Sequence, residues 1–125
     1  KNAQKELDKI AKKYKDKSII LYGAGFFASD LLSDYDLSKL NILGIADLKF
    51  QNNNDGDFYG YKKIGAYEIS DMAFDLLLIT TFDDGPVKNF LNDDLFVDEE
   101  RTFEVKTLIK QGFWASVKKA FKDGI

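Results

Sequence analysis

Two closely spaced glycines follow a short apolar segment near the start of the chain, in the sequence Gly23-Ala-Gly-Phe-Phe-Ala28. Between a strand and a helix, Gly23 permits a tight turn, Gly25 lets a phosphate approach the backbone, and Ala28 lets the helix pack closely on the sheet. The N–H groups and the dipole at the start of such a helix attract a phosphate. The pattern therefore predicts a phosphate-binding turn that comprises Gly23, Ala24, Gly25, Phe26, Phe27 and Ala28.

An acidic residue ends the next apolar segment, Asn41–Asp47. In dinucleotide-binding folds, a carboxylate about 20 residues beyond the glycines accepts hydrogen bonds from a ribose. Asp47 has that position, and its charge would repel a ribose 2′-phosphate, so NAD suits this chain better than NADP. The alternative is that Asp47 only begins a turn, because aspartate is common at strand ends.

The composition excludes several kinds of catalytic and metal site. The chain has 125 residues with no cysteine and no histidine. Disulfides, thiolate catalysis and a Ser-His-Asp triad are therefore ruled out, and so are the commonest metal ligands. We predict no catalytic residue and no metal site, and any catalysis would have to use aspartate, glutamate, lysine or tyrosine.

Length, charge and hydropathy describe a single domain over 1–125, within the ordinary range for globular proteins. The net charge of −3 gives no reason to expect nucleic acid as a partner. No apolar run approaches 20 residues and no signal peptide is visible, so we predict a cytoplasmic protein without a transmembrane segment. Because the chain begins at Lys1 rather than methionine, we expect a segment of a longer protein.

Helical and extended patterns alternate along the first half of the chain. Apolar residues at helical spacing predict a helix over 7–14 and a crossover helix over 28–35, on either side of a first strand. A polar loop is predicted over 51–57, followed by a short extended segment over 59–65 and a brief helix over 66–72.

The second half continues this alternation. Phe74–Thr81 is typical of a strand buried on both faces, and Asp83–Pro86 of a helix start. A further strand is predicted over Phe103–Val105, and a last helix around Trp114. Strands that alternate with helices predict an α/β domain, specifically a Rossmann-like three-layer domain with a mainly parallel sheet of four to five strands.

Ligands of such sheets bind outside the carboxyl ends of the strands. That edge would bring the glycine turn and Asp47 together with the residues that follow the buried strand. The two threonine hydroxyls there could donate to a phosphate or a sugar, or could instead satisfy backbone groups at the strand end. The residues added to the predicted site are Thr80, Thr81 and Phe82.

The order of these segments resembles that of small Rossmann-like domains in bacterial polysaccharide biosynthesis. The shared features are the sequences I-I-L-Y-G-A-G, I-L-G-I-A-D, Y-G-Y-K-K-I-G and F-D-L-L-L-I-T, between Ser18 and Phe82. The chain is similar to the nucleotide-binding domain that precedes the catalytic part of capsule nucleotide-sugar dehydratases and epimerases. It is also similar to the N-terminal domain of bacterial sugar acyltransferases.

The resemblance implies that NAD or a UDP-sugar binds at the glycine turn and Asp47, with no active site in this segment. Those acyltransferases usually carry a histidine in or near the glycine turn, whereas this chain has Phe26 and Phe27. The two rings could stack on a base or fill part of the site. The alternative is that at least one of them packs under the sheet.

These features of the sequence are compatible with three functions. The first is a non-catalytic domain that binds a nucleotide or nucleotide-sugar in a bacterial capsule or lipopolysaccharide biosynthesis protein, with a flanking catalytic domain or a second copy as partner. The second is an NAD-dependent oxidoreductase or epimerase, for which Tyr59 and Lys63 form a Tyr-x-x-x-Lys pair only in a loop-like segment. The third is a degenerate Rossmann module for protein association through the basic amphipathic segment Lys106–Lys122, which otherwise reads as a core-facing helix.

Overall fold

The computed structural model describes residues 2–81 and 84–104. Helices and strands alternate along this part of the chain, apart from a short hairpin in its middle, when the 3-10 helices over Leu48–Phe50, Ala66–Asp71 and Glu99–Arg101 are counted. In chain order the elements are α1 (Asn2–Lys13), β1 (Ser18–Tyr22), α2 (Phe26–Asp34), β2 (Asn41–Asp47), β3 (Asp57–Phe58), β4 (Tyr61–Gly65), β5 (Leu76–Ile79), α3 (Asp84–Asp93) and β6 (Thr102–Glu104).

The six strands of the described residues form one sheet in the order β3-β4-β2-β1-β5-β6. All neighbours pair in parallel except β3, which pairs antiparallel with β4. The chain is therefore an α/β protein with a mostly parallel sheet, as the sequence predicts. The sheet has one strand more than expected, because Asp57 and Phe58, at the end of the predicted polar loop, fold back to pair with Lys62 and Tyr61.

The central strand β1 separates two hydrophobic cores. Because side chains alternate along a strand, Ile19 and Leu21 join one core, whereas Ile20 and Tyr22 join the other. The first core is completed by apolar residues of α1 and α2, and the second by residues of α3 and of a 3-10 helix over Ala66–Asp71. The near-continuous apolar sequence of β1 follows from this burial on both faces.

The order in which the chain adds strands to the sheet reverses at β1. The chain first proceeds from β1 to β2 and β4, and then crosses to β5 and β6 on the other side. Since these five strands are parallel, their carboxyl ends lie at one edge. The residues that follow them there include Gly23 after β1, Leu48 after β2 and Thr80 after β5.

Most predicted elements occur, with shifted limits. The strand predicted over Phe74–Thr81 is confined to Leu76–Ile79, and the brief helix predicted over 66–72 is a 3-10 helix. The predictions that concern Phe82, Asp83 and Val105 lie outside the described residues, as do those for the last helix and the segment Lys106–Lys122. Among the helices described, none combines the length and apolarity needed to cross a membrane.

Leu31 tests the contribution of α2 to the first core. Its side chain is fully buried, so Leu31→Ala should lower the free energy of unfolding by about 2–5 kcal/mol through lost burial and the cavity left behind. Leu48, which is half exposed, supplies the control, and Leu48→Ala should change stability by no more than about 0.5 kcal/mol. Urea unfolding followed by circular dichroism measures both, and equal losses would contradict the packing described.

Candidate functional site

Gly23 is required by the backbone and by packing. It begins the turn between β1 and α2 with a φ of +113°, a region that side chains with a Cβ rarely adopt. A Cβ at this position would lie 2.4 Å from Thr81 Cγ2 and 3.1 Å from the Thr80 carbonyl oxygen. The first glycine therefore allows the turn to pass close against the end of β5.

Gly25 differs, because neither strain nor crowding accounts for a glycine there. Its φ is −103°, and a Cβ added to it would have no atom of the described residues within 4 Å. Gly25 is the N-cap residue of α2, where no side chain caps the helix. The second glycine thus leaves open space beside the first turn of the helix, which is the space that a phosphate would need.

Asp47 connects the end of β2 to the glycine turn. Its Oδ2 accepts a hydrogen bond of 2.8 Å from the Ala24 N–H, and its Oδ1 accepts one of 3.1 Å from the Lys49 N–H. The second bond caps a 3-10 helix over Leu48–Phe50, so Asp47 does begin a turn. A carboxylate has about four acceptor positions. The two backbone bonds therefore leave capacity for ribose hydroxyls.

Lys49, which is not among the residues predicted from the sequence, places a positive charge beside the same turn. Its ammonium donates to the Ala24 carbonyl oxygen and lies 5.6 Å from the centre of the Phe50 ring and 5.8 Å from that of Phe58. The feature of the sequence that could have indicated Lys49 is its position two residues after Asp47. A turn at that position brings the lysine back towards the glycines.

The two predicted threonines differ in their surroundings. Thr80 is buried, and its Oγ1 lies 2.9 Å from the Tyr22 carbonyl oxygen and 2.7 Å from that of Gly23. Its hydroxyl therefore satisfies backbone groups, which is the second of the two alternatives for this residue. The buried Oγ1 of Thr81 has no hydrogen-bond partner among the residues described.

The two phenylalanines of the turn also have different environments. The side chain of Phe26 is 89% exposed, whereas that of Phe27 is only 3% exposed and packs in the first core. Ala28 is fully buried in the same core, in line with a helix packed closely on the sheet. Of the two rings predicted at the site, only that of Phe26 is exposed.

A pocket of about 290 Å³ opens beside the turn. One side is formed by the turn and the first residues of α2, and the other by the segment after β2 and the β3–β4 hairpin. The lining residues are Ala24, Gly25, Phe26, Ser29, Lys49 and Phe58. The pocket combines accessible backbone, a hydroxyl, a cation and two aromatic rings.

A second aromatic group lies at the same edge on the opposite face of the sheet. The rings of Tyr22 and Tyr67 have centres 6.2 and 5.7 Å from that of Phe90. Burial, with smaller contributions from Asp47 and Tyr67, raises the pKa of Tyr22 well above its usual range.

Within the ranges that the structure describes, no group of three or more acidic side chains is placed to hold a metal ion. Comparison with known proteins adds no identification, since no family model and no curated protein matches the chain. The geometry of the turn and its pocket is therefore the basis for the functional proposal.

The two glycines should respond differently to alanine. Gly23→Ala combines backbone strain with crowding against Thr81, and should lower the free energy of unfolding by about 2–4 kcal/mol. Gly25→Ala meets neither obstacle and should change it by less than about 1 kcal/mol. Urea unfolding measures both variants, and a Gly25→Ala loss that matches that of Gly23→Ala would show that both glycines serve the fold.

Proposed function

We propose that this chain is a nucleotide or nucleotide-sugar binding domain of a bacterial carbohydrate biosynthesis protein, acting in the cytoplasm and not catalytic by itself. The observation that carries the proposal is the open space at Gly25, on a turn that Asp47 and Thr80 hold in place. The assignment to a capsule or lipopolysaccharide pathway rests on the sequence resemblance. The partner would be a flanking catalytic domain or a second copy of the chain.

The strand order supports a Rossmann-like three-layer arrangement. The parallel strands run in the order β4-β2-β1-β5-β6, which corresponds to the order 3-2-1-4-5 found in dinucleotide-binding folds. In those folds the ligand lies where the order reverses, beyond the carboxyl end of the first strand. The turn at Gly23 occupies that position here.

The contacts available suit a phosphate attached to a ribose. The backbone at Gly25 and the Lys49 ammonium can bind the phosphate, and Asp47 can accept from the ribose hydroxyls. NAD and UDP-sugars both carry this combination. A nucleotide ligand therefore accounts for the open glycine, the cation and the carboxylate together.

The alternative of an NAD-dependent oxidoreductase has less support. Tyr59 lies on the turn between β3 and β4, at a φ of +53°, and not on a helix. The ammonium of Lys63 lies 5.2 Å from the centre of the Phe50 ring. A Tyr-x-x-x-Lys pair places its two side chains together when it lies on one helix face, and this pair does not.

Isothermal titration calorimetry with UDP-sugars, NAD and coenzyme A tests the proposal directly. At least one of these should bind the chain, and Gly25→Val should weaken that binding about tenfold or more, because the added side chain excludes the phosphate from charge-assisted backbone hydrogen bonds.

The matched control for this titration is Gly85→Val. Gly85 lies in α3, and a Cβ there also has no atom of the described residues within 4 Å, so the variant should bind as the unmodified chain does. Absence of binding to every compound would refute the proposal. Equal weakening by the two valine variants would show that the glycine turn is not the site.

A further inference from the structure

The β3–β4 hairpin that forms one wall of the pocket contains a strained residue. Tyr59 and Gly60, at its two central positions, have φ values of +53° and +87°. Positive φ at both positions is typical of a type I′ turn, which usually contains Asn-Gly or Gly-Gly. A tyrosine in this conformation costs about 1–2 kcal/mol in general. Other contacts of the hairpin must offset that cost.

Phe58 and Tyr59 make such contacts. Hydrogen bonding to Ser33, with a smaller contribution from Ser29, lowers the pKa of the Tyr59 hydroxyl. The Phe58 ring packs edge-on against that of Tyr59, with centres 4.9 Å apart, and lies 6.1 Å from that of Phe50. Phe58 also packs against the first core, and this contact anchors the hairpin beside the pocket.

Phe26 contributes a second ring to the pocket, and packing does not explain its position. The side chain is 89% exposed at the first residue of α2, while Phe27 next to it fills the core. Ligand pockets are lined predominantly by apolar and aromatic side chains, and Phe26 is one of the residues that line this pocket. The pocket thus offers aromatic surface on both its α2 side and its hairpin side.

Lys49 restricts the chemistry of the occupant. The Ala24 carbonyl accepts one hydrogen bond from the ammonium, which has three N–H donors. A wholly apolar occupant would remove this charge from water without pairing it, at a substantial cost in free energy. An anionic ligand with a planar ring satisfies the ammonium and both aromatic residues.

We propose that this pocket holds the base of the bound nucleotide, with its ring against Phe58 and Phe26 and with Lys49 paired to the phosphate at Gly25. The inference rests on the proposed function and adds the place of the base. It puts the base on the α2 face of the sheet, and not on the opposite face, where Tyr22, Tyr67 and Phe90 cluster.

The test is calorimetry on the full chain with UDP, ADP and inorganic pyrophosphate as probes. Phe58→Leu and Phe26→Leu keep apolar bulk but remove the ring, and each should weaken binding of UDP or ADP about five- to tenfold. Both variants should leave pyrophosphate binding unchanged, because pyrophosphate has no base. Lys49→Met should weaken the binding of the nucleotides and of pyrophosphate by a similar factor.

The controls are Phe96→Leu and Lys12→Met. Phe96 is 83% exposed after α3 and does not line the pocket, and Lys12 is exposed on α1. Neither control should change binding of any probe. Circular dichroism shows whether Phe58→Leu remains folded. If that variant unfolds, Phe26→Leu, which is on the surface, carries the test.

The two proposals fail in different ways. Nucleotide binding that is unaffected by both leucine variants would overturn the placement of the base and leave the proposed function standing. Equal weakening of nucleotides and pyrophosphate by Phe26→Leu would also overturn it, since the ring would then act on the phosphate. Absence of binding by UDP, ADP, NAD and UDP-sugars to the unmodified chain would refute the proposed function itself.

Discussion

One carboxylate joins the two segments on which the candidate site depends. Asp47, at the end of β2, accepts a hydrogen bond from the N–H of Ala24 in the glycine turn, and the ammonium of Lys49 donates to the carbonyl of the same residue. Both backbone groups of Ala24 are therefore held from the β2 side. Hydrogen bonds to charged groups contribute about 1.5–3 kcal/mol each in general, so this connection fixes the turn more firmly than backbone pairing alone.

The turn is also held from the other neighbour of β1. Thr80, after β5, lies within hydrogen-bond distance of the Gly23 carbonyl, and Gly23 has no side chain to prevent that approach. Fixed on both sides, the turn leaves Gly25 as its open position. A site that is ordered before its ligand arrives loses less conformational entropy on binding. The same residues thus serve the fold and the proposed binding of a nucleotide.

The sequence predicted the parts of this arrangement that depend on local pattern. The apolar run of β1, the glycines and the acidic end of β2 indicated the turn, because each is encoded within a few residues. Phe58 was missed, since a polar loop and a two-residue strand bring it to the turn through tertiary contacts. Lys49 was missed because its approach to the glycines depends on the turn that Asp47 begins. The alternatives at Thr80 stayed open because a hydroxyl serves either a ligand or the backbone. The helical repeat could have predicted that Phe27 is buried and Phe26 exposed, since Phe27 shares a helix face with Leu31.

The central claim is that a nucleotide phosphate binds at the backbone of Gly25. Amide chemical shifts recorded by ¹H–¹⁵N NMR during titrations with UDP and NAD test it most directly, because each N–H group reports its own surroundings. We expect Gly25 and Phe26 to show the largest shifts, and both to reach saturation at the same concentration of at least one of the two compounds, while Gly85 is unaffected. Shifts confined to residues away from the turn, or none with either compound, would contradict it.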